Sequence, residues 1–308
     1  MSRERGMALL VVLWATAGMA LLATGLVRAA TGEVRRSHDD LLQLEARLAI
    51  ESGLARAIAA VRDSDPERRW LPDGTVRLLQ LDRAVVAIKV EDEAARIDLN
   101  GAAPELLQGL LAAIGGSREQ VQPVVDAIVD WRDEDHERSL QGAERAEYAA
   151  AGRGYGPADR PFLVTSELRA VLPVTAELYR RIAPFVTVFT GASTIDPLWA
   201  PREVLLALPG VGEAEVARIE AERRKKPPPQ TQDIAQLLPG ANAVIGPAQR
   251  PLLRITLDAE VDGRVRRTAT IVATLDDNAE QARLAPRWAT ILDWRDEIPA
   301  RLLAGALP

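Results

Sequence analysis

Between Asp130 and Glu147 the chain reads Asp-Trp-Arg-Asp-Glu-Asp-His-Glu-Arg-Ser-Leu-Gln-Gly-Ala-Glu-Arg-Ala-Glu, and seven of these residues are acidic. Asp133, Asp135, Glu137 and Glu144 fall at positions one, three, five and twelve of a loop, the spacing at which an EF-hand offers oxygen ligands to Ca²⁺. The match is incomplete. Position six is Arg138 where an EF-hand turns on Gly, and a glycine comes later, at Gly142. Carboxylates this crowded repel one another unless a cation or arginines neutralise them. Two readings therefore stand: a loop closed on Ca²⁺, or a solvated loop paired internally by Arg132, Arg138 and Arg145.

Other chemistry is sparse. There is no cysteine, so neither a disulfide nor a thiolate is available. No Gly-x-Ser-x-Gly elbow occurs, and His38 and His136 are the only histidines, with no His-Glu-x-x-His pair. His136 reads as an exposed loop residue. The expectation is a protein that is not an enzyme. Leu208-Pro-Gly-Val-Gly-Glu-Ala-Glu-Val-Ala-Arg-Ile219 fits a helix-hairpin-helix, a turn whose backbone amides can meet a DNA phosphate, and it precedes a basic run, Arg223-Arg-Lys-Lys226, read as exposed. A net charge of −6 argues against broad nucleic-acid binding.

The elements that position these residues begin with a long helix. Arg3, Arg5 and Gly6 precede the uncharged run Met7–Val27. At about 1.5 Å per residue this run spans roughly 30 Å, a bilayer core. Leu41, Leu44 and Leu48, then Ile50, Leu54, Ile58 and Val61, continue a three-to-four spacing without a proline before Pro66. One helix over 7–62 is expected, apolar all round over 7–27 and docked on a globular domain beyond. Asp63–Gly74 is the turn that ends it. Strands are expected at Thr75–Leu81, Ala84–Glu91 and Ala94–Leu99, then at Phe185–Thr190, Leu252–Val261 and Arg264–Leu275, with a hairpin turn at Asp262-Gly263. Segments 63–99, 185–195 and 252–275 would form one sheet.

Residues 100–184 read as a helical insertion that carries the acidic loop. Pro104 starts its first helix, Gly115-Gly116 ends it, Val121–Trp131 is the second, and Ser166 or Thr165 and then Thr175 cap two more. A second helical block fills 196–250. Ile97-Asp-Leu-Asn-Gly-Ala-Ala-Pro-Glu-Leu-Leu and Ile195-Asp-Pro-Leu-Trp-Ala-Pro-Arg-Glu-Val-Leu form an internal repeat at constant offset. The tail, 276–308, holds an apolar helical segment at Trp288–Leu292 and a second Asp-Trp-Arg-Asp at Asp293–Asp296.

A basic leader ending in Gly directly before an apolar helix resembles the type IV prepilin signal. That resemblance implies cleavage between Gly6 and Met7 by a prepilin peptidase, with N-methylation of the new terminus. Pilin-like proteins usually carry Glu at the fifth mature position, which here is Val11; an apolar residue there suits a subunit with no earlier neighbour to pair with. The order of Asp130-Trp131, Asp133, Asp135, Gly142-Ala143-Glu144 and Tyr148, with Asp98-Leu-Asn-Gly-Ala-Ala-Pro-Glu-Leu-Leu before it and Ser166-Glu-Leu168 after it, resembles the type II secretion system protein K family.

The resemblance implies an α+β, pilin-like fold: a long transmembrane and amphipathic helix on an antiparallel sheet, with a large all-helical, SAM-like or helix-hairpin-helix-like insertion. It implies a structural Ca²⁺, with Asp133, Asp135 and Glu144 as ligands, Glu137 coming from the loop spacing, and Asp130 either ligating or orienting the loop. Arg145 and Ala146 stand where the family often has further acids, which weakens any second calcium. Implied partners are the I- and J-type minor pseudopilins, the major pseudopilin, the inner-membrane assembly platform, the prepilin peptidase and secreted cargo. Implied placement is a single-pass inner-membrane protein, N-terminus cytoplasmic and body periplasmic, in agreement with Arg3 and Arg5 in the short leading segment. A minor pilin of a type IV pilus and a membrane-anchored helix-hairpin-helix DNA-binding protein are the alternatives.

Overall fold

The structure, a computed structural model, describes residues 3–248, 250–275 and 289–297. Helix α1 runs Arg3–Val61, 59 residues and about 90 Å at helical rise. Side chains in its apolar run are described only over 12–25, so Met7 to Val11, Leu26, Val27 and the processing pair Gly6–Met7 lie outside the described side chains. Among the described residues no helix is long and apolar enough to cross a membrane.

The C-terminal half of α1 lies on a five-stranded antiparallel sheet in the order β1 (Asp73–Gln80), β2 (Ala84–Asp92), β5 (Leu252–Val261), β6 (Val265–Thr274) and β7 (Thr290–Glu297). Of the stripe expected from spacing, Ile50, Leu54, Ile58 and Val61 do face the sheet core, but its first three leucines do not. Leu41, Leu44 and Leu48 are 57%, 52% and 50% exposed, whereas Leu42, Ala46, Ala49, Ile50, Leu54, Ala57 and Ala60 are buried. The sheet selects this face because its small residues let the helix axis approach. At Gly53 a Cβ would sit 2.9 Å from Leu257 Cδ2 and 3.0 Å from Val86 Cγ1, so even one methyl is crowded out. Val86, Ile88 and Val90 from β2 meet Leu253, Ile255, Leu257 and Ile271 from β5 and β6 in the same core.

Three expectations about strands are corrected. Ala94–Leu99 does not continue the meander. Asp92 Oδ1 accepts from Ala94 N at 2.9 Å and starts a 3-10 turn over Glu93–Ala95, which ends β2. Beyond that turn β3 (Ile97–Asp98) pairs in parallel with β4 (Val186–Thr187) as a separate two-stranded sheet. Segment 185–195 therefore does not join the main sheet. The helical segment expected at Trp288–Leu292 is corrected over its described residues: Thr290–Leu292 begin β7, which pairs along β6 from Thr274↔Thr290 to Thr268↔Glu297, and Trp288 lies outside the described residues. The backbone groups on that edge of β6 outweigh the local helical pattern.

Strands β2 and β5 are hydrogen-bonded neighbours, with Asp92 opposite Leu253. Everything between them is one insertion with one core, from Ala95 to Ile245. Its helices are α2 (Pro104–Ala113), α3 (Arg118–Arg132), α4 (Arg145–Ala150), α5 (Ala176–Ile182), α6 (Arg202–Leu206), α7 (Glu213–Arg223) and α8 (Thr231–Ala235). The two sequence copies build two similar units. Ile97 pairs in parallel with Val186, and Ile195 bridges in parallel to Ile245. Asp98 and Asp196, both buried, cap the backbone just beyond them: Asp98 Oδ1 accepts from Asn100 N, and Asp196 Oδ1 from Leu198 N. Arg132 at the end of α3 donates to the carbonyls of Leu99 and Ala102; Arg223 at the end of α7 donates to those of Pro197 and Ala200. These four carbonyls occupy matching positions in the two copies. The units meet where α2 packs on α6, at the equivalent residues Gly109 and Ala207, and a Cβ on Gly109 would collide with the Ala207 carbonyl.

Candidate metal centre

The acidic loop leaves the C-terminus of α3. Trp131, nearly fully buried, anchors that end between Phe162 (centroids 6.0 Å apart) and Tyr148 (6.2 Å). Tyr148 is itself buried; its hydroxyl accepts from Leu172 N at 3.1 Å, and burial pushes its pKa up to about 12. Asn100 ties in the distal loop by a reciprocal pair, Nδ2 to Phe162 O at 3.0 Å and Phe162 N to Oδ1 at 2.7 Å. That loop carries Asp159, at φ 49°.

Asp130 organises the loop from beneath. It is fully buried, and its two oxygens accept from Ser139 N at 3.1 and 3.3 Å. Gly142 lies so close that a Cβ there would overlap the Asp130 carboxylate. This explains the displaced glycine: the chain turns on Asp130 rather than at position six. Asp130 therefore orients the loop. Glu144, 8% exposed, opens α4, where Glu147 Oε2 accepts from Glu144 N at 3.0 Å.

Glu144 and Asp159 converge with His136, and Asp133 lies in the same field of carboxylates. Each of these three acids has one buried carboxylate oxygen without a hydrogen-bond partner: Asp133 Oδ1, Glu144 Oε1 and Asp159 Oδ1. His136, Glu144 and Asp159 offer ligand atoms within 4.8 Å of one another, and His136 Nδ1 is 3.5 Å from Asp159 Oδ2. Desolvation, with Asp135, Asp130 and Asp159 nearby, raises the pKa of Asp133 against the pull of Arg132. Desolvation, with Asp130, Asp159 and Asp133, raises that of Glu144. Two of the three arginines form their hydrogen bonds elsewhere. Arg132 is spent on the Leu99 and Ala102 carbonyls, and Arg138 pairs with Glu147 at 3.3 Å. The orphaned oxygens of Glu144 and Asp159, with that of Asp133 in the same acidic field, fit a hard cation such as Ca²⁺, which takes oxygen ligands.

Of the residues expected from spacing, the structure puts Glu144 in the convergent group, leaves Asp133 near it and Asp135 near Asp133 with its Oδ1 accepting from Glu137 N at 2.8 Å, and places Asp130 behind. Glu137 is exposed and has no place in the convergent group. The Asx-type turn at Asp135 directs the chain away at that point, so position five of the EF-hand pattern is not met. Asp159 is not legible from spacing, because it reaches the site only through the Asn100–Phe162 tie.

The second helix pair is not built for phosphate. Gly212 N donates to Glu215 Oε2 at 3.0 Å, so this amide is already satisfied. Arg223, expected to be exposed, turns inward to two carbonyls, while Arg224 and Lys225 pair with Glu220 and Glu222.

A helix laid on an antiparallel sheet, interrupted between neighbouring strands by a helical insertion, is a fold with a solved counterpart. The crystal structure of the GspK-GspI-GspJ complex from enterotoxigenic Escherichia coli Type 2 Secretion System matches with a TM-score of 0.59, over 85% of this chain and 99% of that one, at 18% identity. Residues 83–191 match the family model for type II secretion system (T2SS), protein K. Proteins described as type II secretion system protein K are similar at 26% identity in Klebsiella pneumoniae (72% of this chain, 74% of that one) and 28% in Aeromonas hydrophila (73% and 77%). A third, from Pseudomonas aeruginosa, is 28% identical over 67% of this chain and 68% of its own. The chain is thus similar to type II secretion system protein K, by the family model over residues 83–191 and by these relatives along most of its length.

Proposed function

We propose that the chain is a minor pseudopilin that caps the tip of the type II secretion pseudopilus, with no enzymatic role. Met7–Val27 holds it in the inner membrane after the prepilin peptidase cuts at Gly6–Met7 and the new terminus is methylated. The body stands in the periplasm. There it assembles with I- and J-type minor pseudopilins, starts the filament of major pseudopilin on the inner-membrane platform, and supports export of folded cargo across the outer membrane. Supporting the partners, the solved counterpart is a complex of three such proteins.

The observation that carries this reading is the place of the insertion. It leaves the sheet between two hydrogen-bonded strands and returns to the neighbouring strand, so one bulky body with its own core rides on the helix-and-sheet platform. We read its helix pairs as helix-hairpin-helix-like. A subunit of that bulk suits a filament end and not its wall.

Ca²⁺ bound by Asp133, Glu144 and Asp159, with Asp135 alongside, would supply positive charge to the orphaned oxygens and fix the loop. Its role is structural.

The register supplies the test. Because Asp92 faces Leu253, residues 93–252 can be replaced by Asn-Gly, a two-residue hairpin turn. The shortened protein is expected to reach the membrane and lose secretion and tip assembly. Secretion at normal level with the shortened protein would refute the capping role.

A further inference from the structure

The candidate metal centre holds one donor that calcium leaves idle. His136 sits inside the turn at Asp135, whose Oδ1 accepts from Glu137 N at 2.8 Å. Its Nδ1 comes to 3.5 Å from Asp159 Oδ2, longer than an N–H···O hydrogen bond. The ligand atoms of His136, Glu144 and Asp159 all lie within 4.8 Å of one another. Glu144 is the buried member, 8% exposed, and its Oε1 is enclosed without a hydrogen-bond partner; Asp159 Oδ1 is in the same condition. An imidazole and two carboxylates thus converge from the acidic loop, the start of α4 and the distal loop.

We propose that His136 is a metal ligand, and that its nitrogen makes this centre a site for a borderline divalent ion, with Zn²⁺ as the probe. The inference rests on the reading of the pocket as a metal centre and changes which ions it can hold. Ca²⁺ gathers about six to eight oxygens and has little use for a nitrogen. Imidazole suits Zn²⁺ and its first-row neighbours, which accept mixed nitrogen and carboxylate sets. Zn–N and Zn–O bonds of about 2.0–2.2 Å in a tetrahedron hold neighbouring ligand atoms about 3.3–3.6 Å apart. The His136–Asp159 separation of 3.5 Å has the length of such an edge. Three protein ligands leave a fourth position for water or for Asp133, which lies in the same acidic field. An ion pair between a protonated His136 and Asp159 is the competing account of the contact. It leaves Glu144 Oε1 and Asp159 Oδ1 without partners, which a shared ion does not. The chain has no cysteine, and its other histidine, His38, lies on α1, so zinc held through His136 is separable from zinc held elsewhere.

The test is isothermal titration calorimetry of the chelator-treated full chain in detergent, with ZnCl₂ and CaCl₂ in separate runs. The parent is expected to bind Zn²⁺ stoichiometrically. His136→Gln removes the imidazole and should lose at least about tenfold in Zn²⁺ affinity, with its Ca²⁺ affinity unchanged. Glu144→Gln, which removes the buried anion, should weaken both ions, and His38→Gln should match the parent. No Zn²⁺ binding by the parent, zinc binding that survives in His136→Gln or in Glu144→Gln, or zinc lost from His136→Gln together with calcium, overturns the proposal. Zinc bound through His136 with calcium ignored leaves the proposal standing and strikes the calcium reading alone. Calcium bound and zinc refused strikes this proposal alone.

Discussion

Neutralising the acidic loop should have opposite effects with and without calcium. In Asp133→Asn and Glu144→Gln the shape is kept and one negative charge is lost. Without metal, each carboxylate sits among other carboxylates with a buried oxygen unpaired, so neutralisation removes repulsion. Each variant should then unfold at the same temperature as the parent or slightly above it. With metal the sign reverses. Three orphaned oxygens, each costing about 1–3 kcal/mol when unsatisfied, set a gain of at least about 3 kcal/mol for a cation that pairs all three. That equals the stabilisation expected at roughly 100-fold excess of ligand over its dissociation constant. For a body of this size each kcal/mol moves the midpoint by about 2–4 °C. The parent should therefore gain roughly 6–12 °C on adding CaCl₂ to chelator-treated protein, and each variant less than half of that. Differential scanning calorimetry of the four combinations decides it. A parent whose midpoint ignores calcium, or variants that lose stability equally in chelator and in calcium, would refute the reasoning. The loop would then be held by its arginines alone.

Gly109→Ala drives a methyl into the Ala207 carbonyl at the contact between the two helical units, and urea unfolding should show a loss of about 1–3 kcal/mol in the insertion. Arg132→Met and Arg223→Met each remove charge-assisted bonds to two carbonyls, so both should cost about 2–4 kcal/mol; a large loss for only one would break the equivalence of the units. Glu93→Gln leaves Arg254 and Arg96 without their buried partner and should cost about 3–5 kcal/mol by the same measurement. Burial acts to raise the Glu93 pKa, but Arg254, Arg96 and Thr187 outweigh it and the net shift is down. Its stabilisation is thus present above the ordinary glutamate range and lost as pH falls below it, so acid unfolding of the parent should be steeper than that of Glu93→Gln.

The sequence carried the plan wherever a local rule and the tertiary structure agree. The β2, β5 and β6 strands, the Asp262-Gly263 hairpin and the starts of α2 and α5 come from alternation, turn chemistry and caps, and they stand within a residue or two of expectation. Misses came where a distant partner decides. Leu41, Leu44 and Leu48 of α1 carried a strong hydrophobic signal, yet there the sheet took Leu42, Ala46 and Ala49 instead, because close approach needs small residues. Asp159 belongs to the site by a tie running through Asn100, and no spacing rule links residue 159 to 133.

The tetrapeptide Asp-Trp-Arg-Asp makes the limit concrete, because it occurs twice with opposite outcomes. At Asp130–Asp133 it closes helix α3, with the tryptophan buried under the loop and the arginine folded back on two carbonyls. At Asp293–Asp296 it is strand β7, where Trp294 is 38% exposed and Arg295 pairs with Asp293 at 2.6 Å. Local propensity is identical, so context supplies the whole difference: an unpaired edge of β6 in one case, the apolar packing of Phe162 and Tyr148 in the other. Reading metal chemistry from the motif alone would assign the tail an acidic site as well. What makes 130–133 a candidate centre is the third carboxylate brought from 159 and the glycine that lets the chain turn on Asp130, and within β7 the tail copy has neither.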